Sequence, residues 1–158
     1  LGIRYFKYDI KDKKIFILGA GGVVSSIILA LKKMDVSKII ISNRTKEKAE
    51  NLKKSFPDLE IIEWGDTSVA DMIINATSVG LKKDDEIKLD YSEIGPNKFF
   101  YDIIYNPKET NFLKKAKAFG NRTENGKMMF IYQAHQAFGI WHKILPDIDD
   151  KTIKLLDS

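Results

Sequence analysis

Gly19, Ala20, Gly21 and Gly22 follow directly on the apolar run Lys14–Leu18. They precede a segment in which Val24, Ile27, Ile28 and Leu31 recur at helical spacing. A Gly-x-Gly between a buried strand and a helix lets the backbone turn tightly and approach a diphosphate, whose charge then sits at the positive helix N-terminus. The same spacing suits a tight turn in a fold that binds nothing, and Val24 stands where a third glycine is usual, with Gly22 as an extra glycine before it. The Gly-Lys-Ser/Thr ending of a nucleoside-triphosphate loop is absent.

A second apolar run, Lys38–Ser42, ends at Asn43-Arg44-Thr45. Sites that take NAD carry an acidic residue near this point, roughly 20 residues beyond the glycine turn, to accept from the ribose 2′-hydroxyl. Asn43 carries no charge to repel a 2′-phosphate. Arg44 offers such a phosphate charge-assisted, bidentate bonds, and Lys48, one helical turn on, adds a second cation. The chain has 23 Lys and only three Arg, so an Arg inside a motif carries weight as a planar anion contact. The residues point to NADP, with an exposed Arg at a helix start as the bland alternative.

These residues need a frame of strands and helices. After a lead of residues 1–12, strands are expected at Lys14–Leu18, Lys38–Ser42, 59–63, 71–75 and 98–104. Helices are expected at 23–34, at 45–55 with Thr45 as N-cap, at 108–119, at 128–145 and near 149–156. Residues 79–95 read as loop and 121–126 as turn. Strands separated by helices imply a Rossmann-like, doubly wound parallel α/β sheet flanked by helices.

At 158 residues the chain suits one domain, read as residues 1–158, and 44% hydrophobic with 30% charged residues excludes collagen-like, disordered and disulfide-stapled classes. Zero Cys excludes Cys-ligated zinc and thiol chemistry. No apolar run reaches the ~18–20 residues of a membrane span, and no signal peptide is seen, so the expected location is cytoplasmic. The net charge of +4 comes from lysines scattered along the chain, a pattern of solvated surface rather than of a nucleic-acid-binding stripe. His135 and His142 lack a clustered carboxylate, so no metal site is expected. By periodicity Met129, Phe130, Phe138 and Trp141 read as core. Three Asn-x-Thr triplets, at Asn43, Asn75 and Asn121, are read as coincidence without a secretion signal.

In order, Gly19-Ala20-Gly21-Gly22, Asn43-Arg44-Thr45, Asn75-Ala76-Thr77-Ser78-Val79-Gly80, Tyr101-Asp102-Ile103-Ile104-Tyr105-Asn106-Pro107 and Gln133-Ala134 resemble the motifs of shikimate dehydrogenases. The resemblance runs over about residues 9–146 and is to the NADP-binding half of that family. It implies NADPH-dependent reduction of 3-dehydroshikimate to shikimate in aromatic amino-acid and chorismate biosynthesis.

By resemblance, Gly19, Ala20, Gly21, Gly22 and Val23 carry the diphosphate, and Asn43, Arg44, Thr45 and Lys48 the adenosine 2′-phosphate end. Lys48 stands where many relatives have a second Arg, which keeps the charge but loses the fork. Thr77, Ser78 and Val79 would line the cofactor cleft; Ile103, Gly126 and Met129 would lie near the nicotinamide; Tyr105 and Gln133 would reach the substrate. Asp102, at a strand end, is expected to hydrogen-bond backbone rather than to act in catalysis. The family's catalytic Lys and Asp belong to a preceding domain, and Leu1 in place of Met suggests a fragment that has lost it. These residues alone are therefore expected to bind cofactor without turnover, with no catalytic residue of their own. Two other readings stay open: a quinate/shikimate dehydrogenase or related oxidoreductase using NAD, and a non-catalytic dinucleotide sensor or nucleic-acid binder.

Overall fold

Lys14–Leu18 forms β1, Lys38–Ser42 β2, Glu60–Ile62 β3, Met72–Asn75 β4, Phe99–Asp102 β5 and Arg122–Glu124 β6. In the computed structural model, which describes residues 1–157, all six pair in parallel in the order β3-β2-β1-β4-β5-β6. β4 and β5 are buried along their whole length, and β1 and β2 are buried after their first lysine. Such unbroken apolar runs are what a sheet covered on both faces demands.

The strand order reverses at β1: the chain runs outward through β2 to β3, then crosses back to β4 on the other side of β1. Register brings Ser42, Leu18, Asn75 and Asp102 side by side at the carboxyl end of the sheet. A ligand crevice forms at this kind of switch point in open α/β sheets.

The helices are α1 (Gly2–Tyr5), α2 (Val24–Lys32), α3 (Lys46–Ser55), α4 (Tyr91–Ile94), α5 (Asn111–Ala118), α6 (Lys127–His142) and α7 (Asp150–Lys154). α2 buries Val24, Ile28 and Leu31, the stripe its spacing requires. α5 buries Phe112, Leu113 and Ala116 in a core shared with Phe16, Ile40, Ile73 and Phe100 from the sheet. Among the described residues no helix is long and apolar enough to cross a membrane.

The contacts divide the chain into two compact units, Ile10–Asn125 and Leu1–Asp9 with the chain from Gly126 onward. The first holds the entire sheet. In the second, Tyr5 of α1 meets Tyr132 of α6 edge to face, with ring centroids 6.4 Å apart.

Four expectations need correction. Residues 121–126, read as turn, contain β6, an edge strand without an apolar residue that is held by backbone pairing to β5. The loop 79–95 contains the short α4, whose N-cap Asp90 accepts from the backbone N–H groups of Ser92 and Glu93. α6 stops at His142 because Lys143 turns left-handed at φ 58°. Finally, Phe130, Phe138 and Trp141 are not core: they are 39%, 42% and 77% exposed.

Candidate functional site

Gly19 ends β1 at φ +111°, and a Cβ there would lie 2.7 Å from the carbonyl oxygen of Ala76. Its N–H donates to the Ser42 carbonyl at 2.8 Å, while the Ala76 N–H donates to the Leu18 carbonyl at 2.8 Å. The fold itself therefore requires this glycine. Gly21 and Gly22 differ: both are exposed, and a Cβ on either would meet nothing within 4 Å. Packing within the chain gives no reason for glycine at these two positions, whereas a ligand lying against the backbone would.

α2 begins just beyond. Val23 at its N-cap makes no side-chain cap bond, and its first turn carries no acidic residue. The Val24 N–H turns back to the Gly21 carbonyl at 3.0 Å, and the positive end of the helix dipole is left to an anion.

The β2–α3 loop lies beside the glycine loop. Asn43 joins the two: its Oδ1 accepts from the Ala20 N–H at 3.0 Å, and its Nδ2 donates to the Thr45 carbonyl at 2.7 Å. Thr45 occupies the N-cap of α3 as its sequence position predicts, yet its hydroxyl makes no cap bond. Arg44 and Lys48 are exposed, and among the described residues neither side chain has an ion-pair partner. Glu63, just past β3, is instead engaged by Lys46, whose pKa the Glu63 hydrogen bond and charge raise. The loop presents unneutralised positive charge.

On the other side of β1, a cleft of about 570 Å³ opens at the ends of β4 and β5. Ala76, Thr77, Ser78 and Leu81 line one wall; Ile103, Ile104, Tyr105 and Asn106 line the other. Thr77 is fixed inward, donating to Asn75 Oδ1 at 2.7 Å and accepting the Val79 N–H at 3.0 Å. Val79 packs against the hydrophobic core rather than along the cleft. Ala76, Leu81, Ile104 and Asn106 also line the walls without a site role expected from the sequence; the apolar Ala76, Leu81 and Ile104 carry no side-chain chemistry that would mark them.

Beneath the cleft, Asp102 is fully buried. It accepts from the Ile104 N–H and Asn75 Nδ2, both at 3.0 Å, and from the Thr110 hydroxyl at 2.6 Å. Burial pushes its carboxyl above the usual range, against those three hydrogen bonds, which pull it down.

Gly126, Met129 and Gln133 belong to the second unit. Gly126 is the N-cap of α6, Met129 is half-buried and Gln133 is exposed. His135 Nε2 lies 2.7 Å from the Pro146 carbonyl oxygen. Among the described residues no group of His, Asp and Glu is arranged to hold a metal ion.

A six-stranded parallel sheet that reverses at β1, with a glycine loop, an uncapped helix start and free cations around that point, defines a dinucleotide-binding domain of the Rossmann type. The chain matches the shikimate / quinate 5-dehydrogenase family over residues 2–94, and it belongs to that family. It is 62% identical over 157 residues to a shikimate dehydrogenase (NADP(+)) of Pelagibacter ubique strain HTCC1062, covering 99% of this chain and 59% of that relative. A crystal structure of a shikimate dehydrogenase in complex with NADP+ aligns with TM-score 0.84 and 35% identity over 98% of this chain and 58% of that one. The shikimate 5-dehydrogenase of Thermus thermophilus, in complex with NADP(H) and shikimate, aligns with TM-score 0.83 and 27% identity over 98% and 57%. The chain thus spans somewhat under three-fifths of the length of these relatives.

Proposed function

We propose that this chain is the NADP-binding part of a shikimate dehydrogenase, acting in NADPH-dependent reduction of 3-dehydroshikimate to shikimate. The observation that carries this reading is the pairing of an open glycine cradle at Gly21 and Gly22 with an unpartnered Arg44 at the end of the neighbouring strand. Gly19 to Val23 and the start of α2 hold the diphosphate. Arg44, Lys48 and the hydroxyl of Thr45 take the 2′-phosphate, and Asn43 keeps their loop in place. Glu63, a carboxylate just past β3, is engaged by Lys46.

When bound, NADPH supplies the hydride for the substrate carbonyl carbon. Thr77 and Ser78 shape the wall of its cleft while Val79 braces it from the core, with Ile103, Gly126 and Met129 near the nicotinamide. Tyr105 and Gln133 contact the substrate. The roles of Gly126, Met129 and Gln133 rest on the motif resemblance. By the motif resemblance, the proton for the new hydroxyl is supplied by a Lys and an Asp of a preceding domain, so we assign no catalytic residue here. Hydride and proton donors must share one cleft.

Fluorescence titration of the purified chain with NADPH and NADH tests the reading. Tight NADPH binding, weak NADH binding and no shikimate oxidation until a separately made upstream domain is added are the expected results. Turnover that scales with the concentration of this chain alone overturns the division of labour, and absent NADPH binding overturns the whole reading.

A further inference from the structure

Asp102 does not line the 570 Å³ cleft, yet both of its walls are tied to it. Its Oδ1 accepts the Ile104 N–H at 3.0 Å, which fixes the backbone in the middle of the wall formed by residues 103–106. The same oxygen accepts from Asn75 Nδ2 at 3.0 Å. Asn75 is itself fully buried and spends its remaining capacity on the opposite wall: Nδ2 also donates to the Val79 carbonyl at 3.0 Å, and Oδ1 accepts both the N–H (3.0 Å) and the hydroxyl (2.7 Å) of Thr77. Oδ2 of Asp102 takes the Thr110 hydroxyl at 2.6 Å. The methyl of Thr110 in turn closes the space beside Gly80, where a Cβ would lie 3.0 Å away.

We propose that Asp102 is a positioning residue that couples the two walls of the cleft, setting the gap between Thr77–Ser78 and Ile103–Tyr105 through one buried carboxylate. This rests on the reading that the nicotinamide half of NADPH occupies that cleft. Fully satisfied buried networks hold a single geometry, and losing one member leaves its partners unpaired in a low dielectric. Here the Ile104 N–H, one N–H of Asn75 Nδ2 and the Thr110 hydroxyl would lose their partner, so both walls lose an anchor together and keep the backbone bond from the Ile103 N–H to the Asn75 carbonyl. The glycine loop and Arg44 make none of these bonds, so the adenosine half of the site is left as it was.

The test compares two probes on the same chain. 2′,5′-ADP reports on the adenosine half alone, and NADPH reports on both halves. For Asp102→Ala the NADPH dissociation constant is expected to rise about tenfold or more, while that for 2′,5′-ADP stays within about twofold. Asp102→Asn keeps an oxygen for Ile104 and Asn75 and an amide that the Thr110 hydroxyl accepts from, so it is expected to restore NADPH affinity. An equal loss for both probes, or an NADPH affinity unchanged in Asp102→Ala, overturns the coupling. If Asp102→Ala does not fold, Thr110→Val serves, since it removes one bond to the carboxylate without entering the cleft wall. An NADPH loss of about threefold with 2′,5′-ADP unchanged is then expected, and unaltered NADPH binding overturns the proposal. A parent chain that binds neither probe refutes the cofactor reading instead.

Discussion

Asn43 Oδ1 accepts the backbone N–H of Ala20 at 3.0 Å, joining the ends of β2 and β1. With its Nδ2 on the Thr45 carbonyl at 2.7 Å, one side chain holds the glycine loop and the Arg44 loop at a fixed separation. A dinucleotide must span that separation between its diphosphate and its 2′-phosphate. Asn43→Ala removes two hydrogen bonds, at about 1 kcal/mol net each, and NADPH affinity is expected to fall by about 1–2 kcal/mol. Asn43→Asp keeps an acceptor for Ala20 but places a carboxylate beside the 2′-phosphate. It is expected to weaken NADPH more than Asn43→Ala does while sparing NADH, as read from titrations of both nucleotides. Equal loss for the two nucleotides sinks this account.

The glycines of the loop separate a folding requirement from a binding requirement. Gly19→Ala forces a Cβ to 2.7 Å from the Ala76 carbonyl oxygen at φ +111°, and about 1–3 kcal/mol of stability is expected to go with the backbone strain alone. Gly21→Ala has open space around its Cβ. Its thermal midpoint should stay at the parent value while NADPH binding weakens, because the methyl stands where the diphosphate approaches. A Gly21→Ala chain that melts early but binds normally contradicts the assignment.

The strand-glycine-helix unit is legible in the sequence because a fully buried parallel strand must be apolar throughout and stop where the backbone turns. β6 is not legible by that logic. Arg122, Thr123 and Glu124 form a strand at the sheet edge, where backbone bonds such as Arg122 N–H to the Lys98 carbonyl at 2.9 Å decide the outcome. Helical spacing marks Phe130, Phe138 and Trp141 as one family of positions but does not say what covers them, and in the structure they remain exposed. At Thr45 the position of the cap is legible and the absence of its hydrogen bond is not. The Asn75–Asp102–Thr110 network brings Asn75 of β4 to the end of β5 and the start of α5, and only the folded register of β4 against β5 reveals that meeting.

Arg44 carries the preference between the two nucleotides. Its exposed guanidinium meets no carboxylate among the described residues, so removing it leaves no buried partner stranded and costs the fold little. Arg44→Ala is expected to weaken NADPH by about 1–3 kcal/mol, the range for a charge-assisted bond, and to leave NADH nearly unchanged. Lys48→Ala should give a smaller loss, since an ammonium offers no fork. Parallel losses for NADPH and NADH in Arg44→Ala contradict the role.

Asp102 also makes stability depend on pH in a direction that can be checked. Burial raises its carboxyl pKa in the folded chain above the ordinary value, outweighing the bonds from Thr110, Ile104 and Asn75. Below the ordinary carboxylate range, about pH 3.9, both states hold the proton and this group has no effect on the balance. As pH rises from there, the unfolded chain releases its proton first, so the folded state binds more protons and stability falls with pH until the buried group ionises too. Asp102→Asn lacks this slope. Other carboxylates titrate in the same region, including Asp58, Asp85, Asp90 and Asp149, whose pKa values their hydrogen bonds lower. They are common to both chains and cancel in the difference. The stability advantage of the parent over Asp102→Asn is therefore expected to be largest near pH 4 and to narrow as pH rises, followed by urea unfolding at several pH values. An advantage that grows with pH means instead that the three donors hold the carboxylate ionised against its burial.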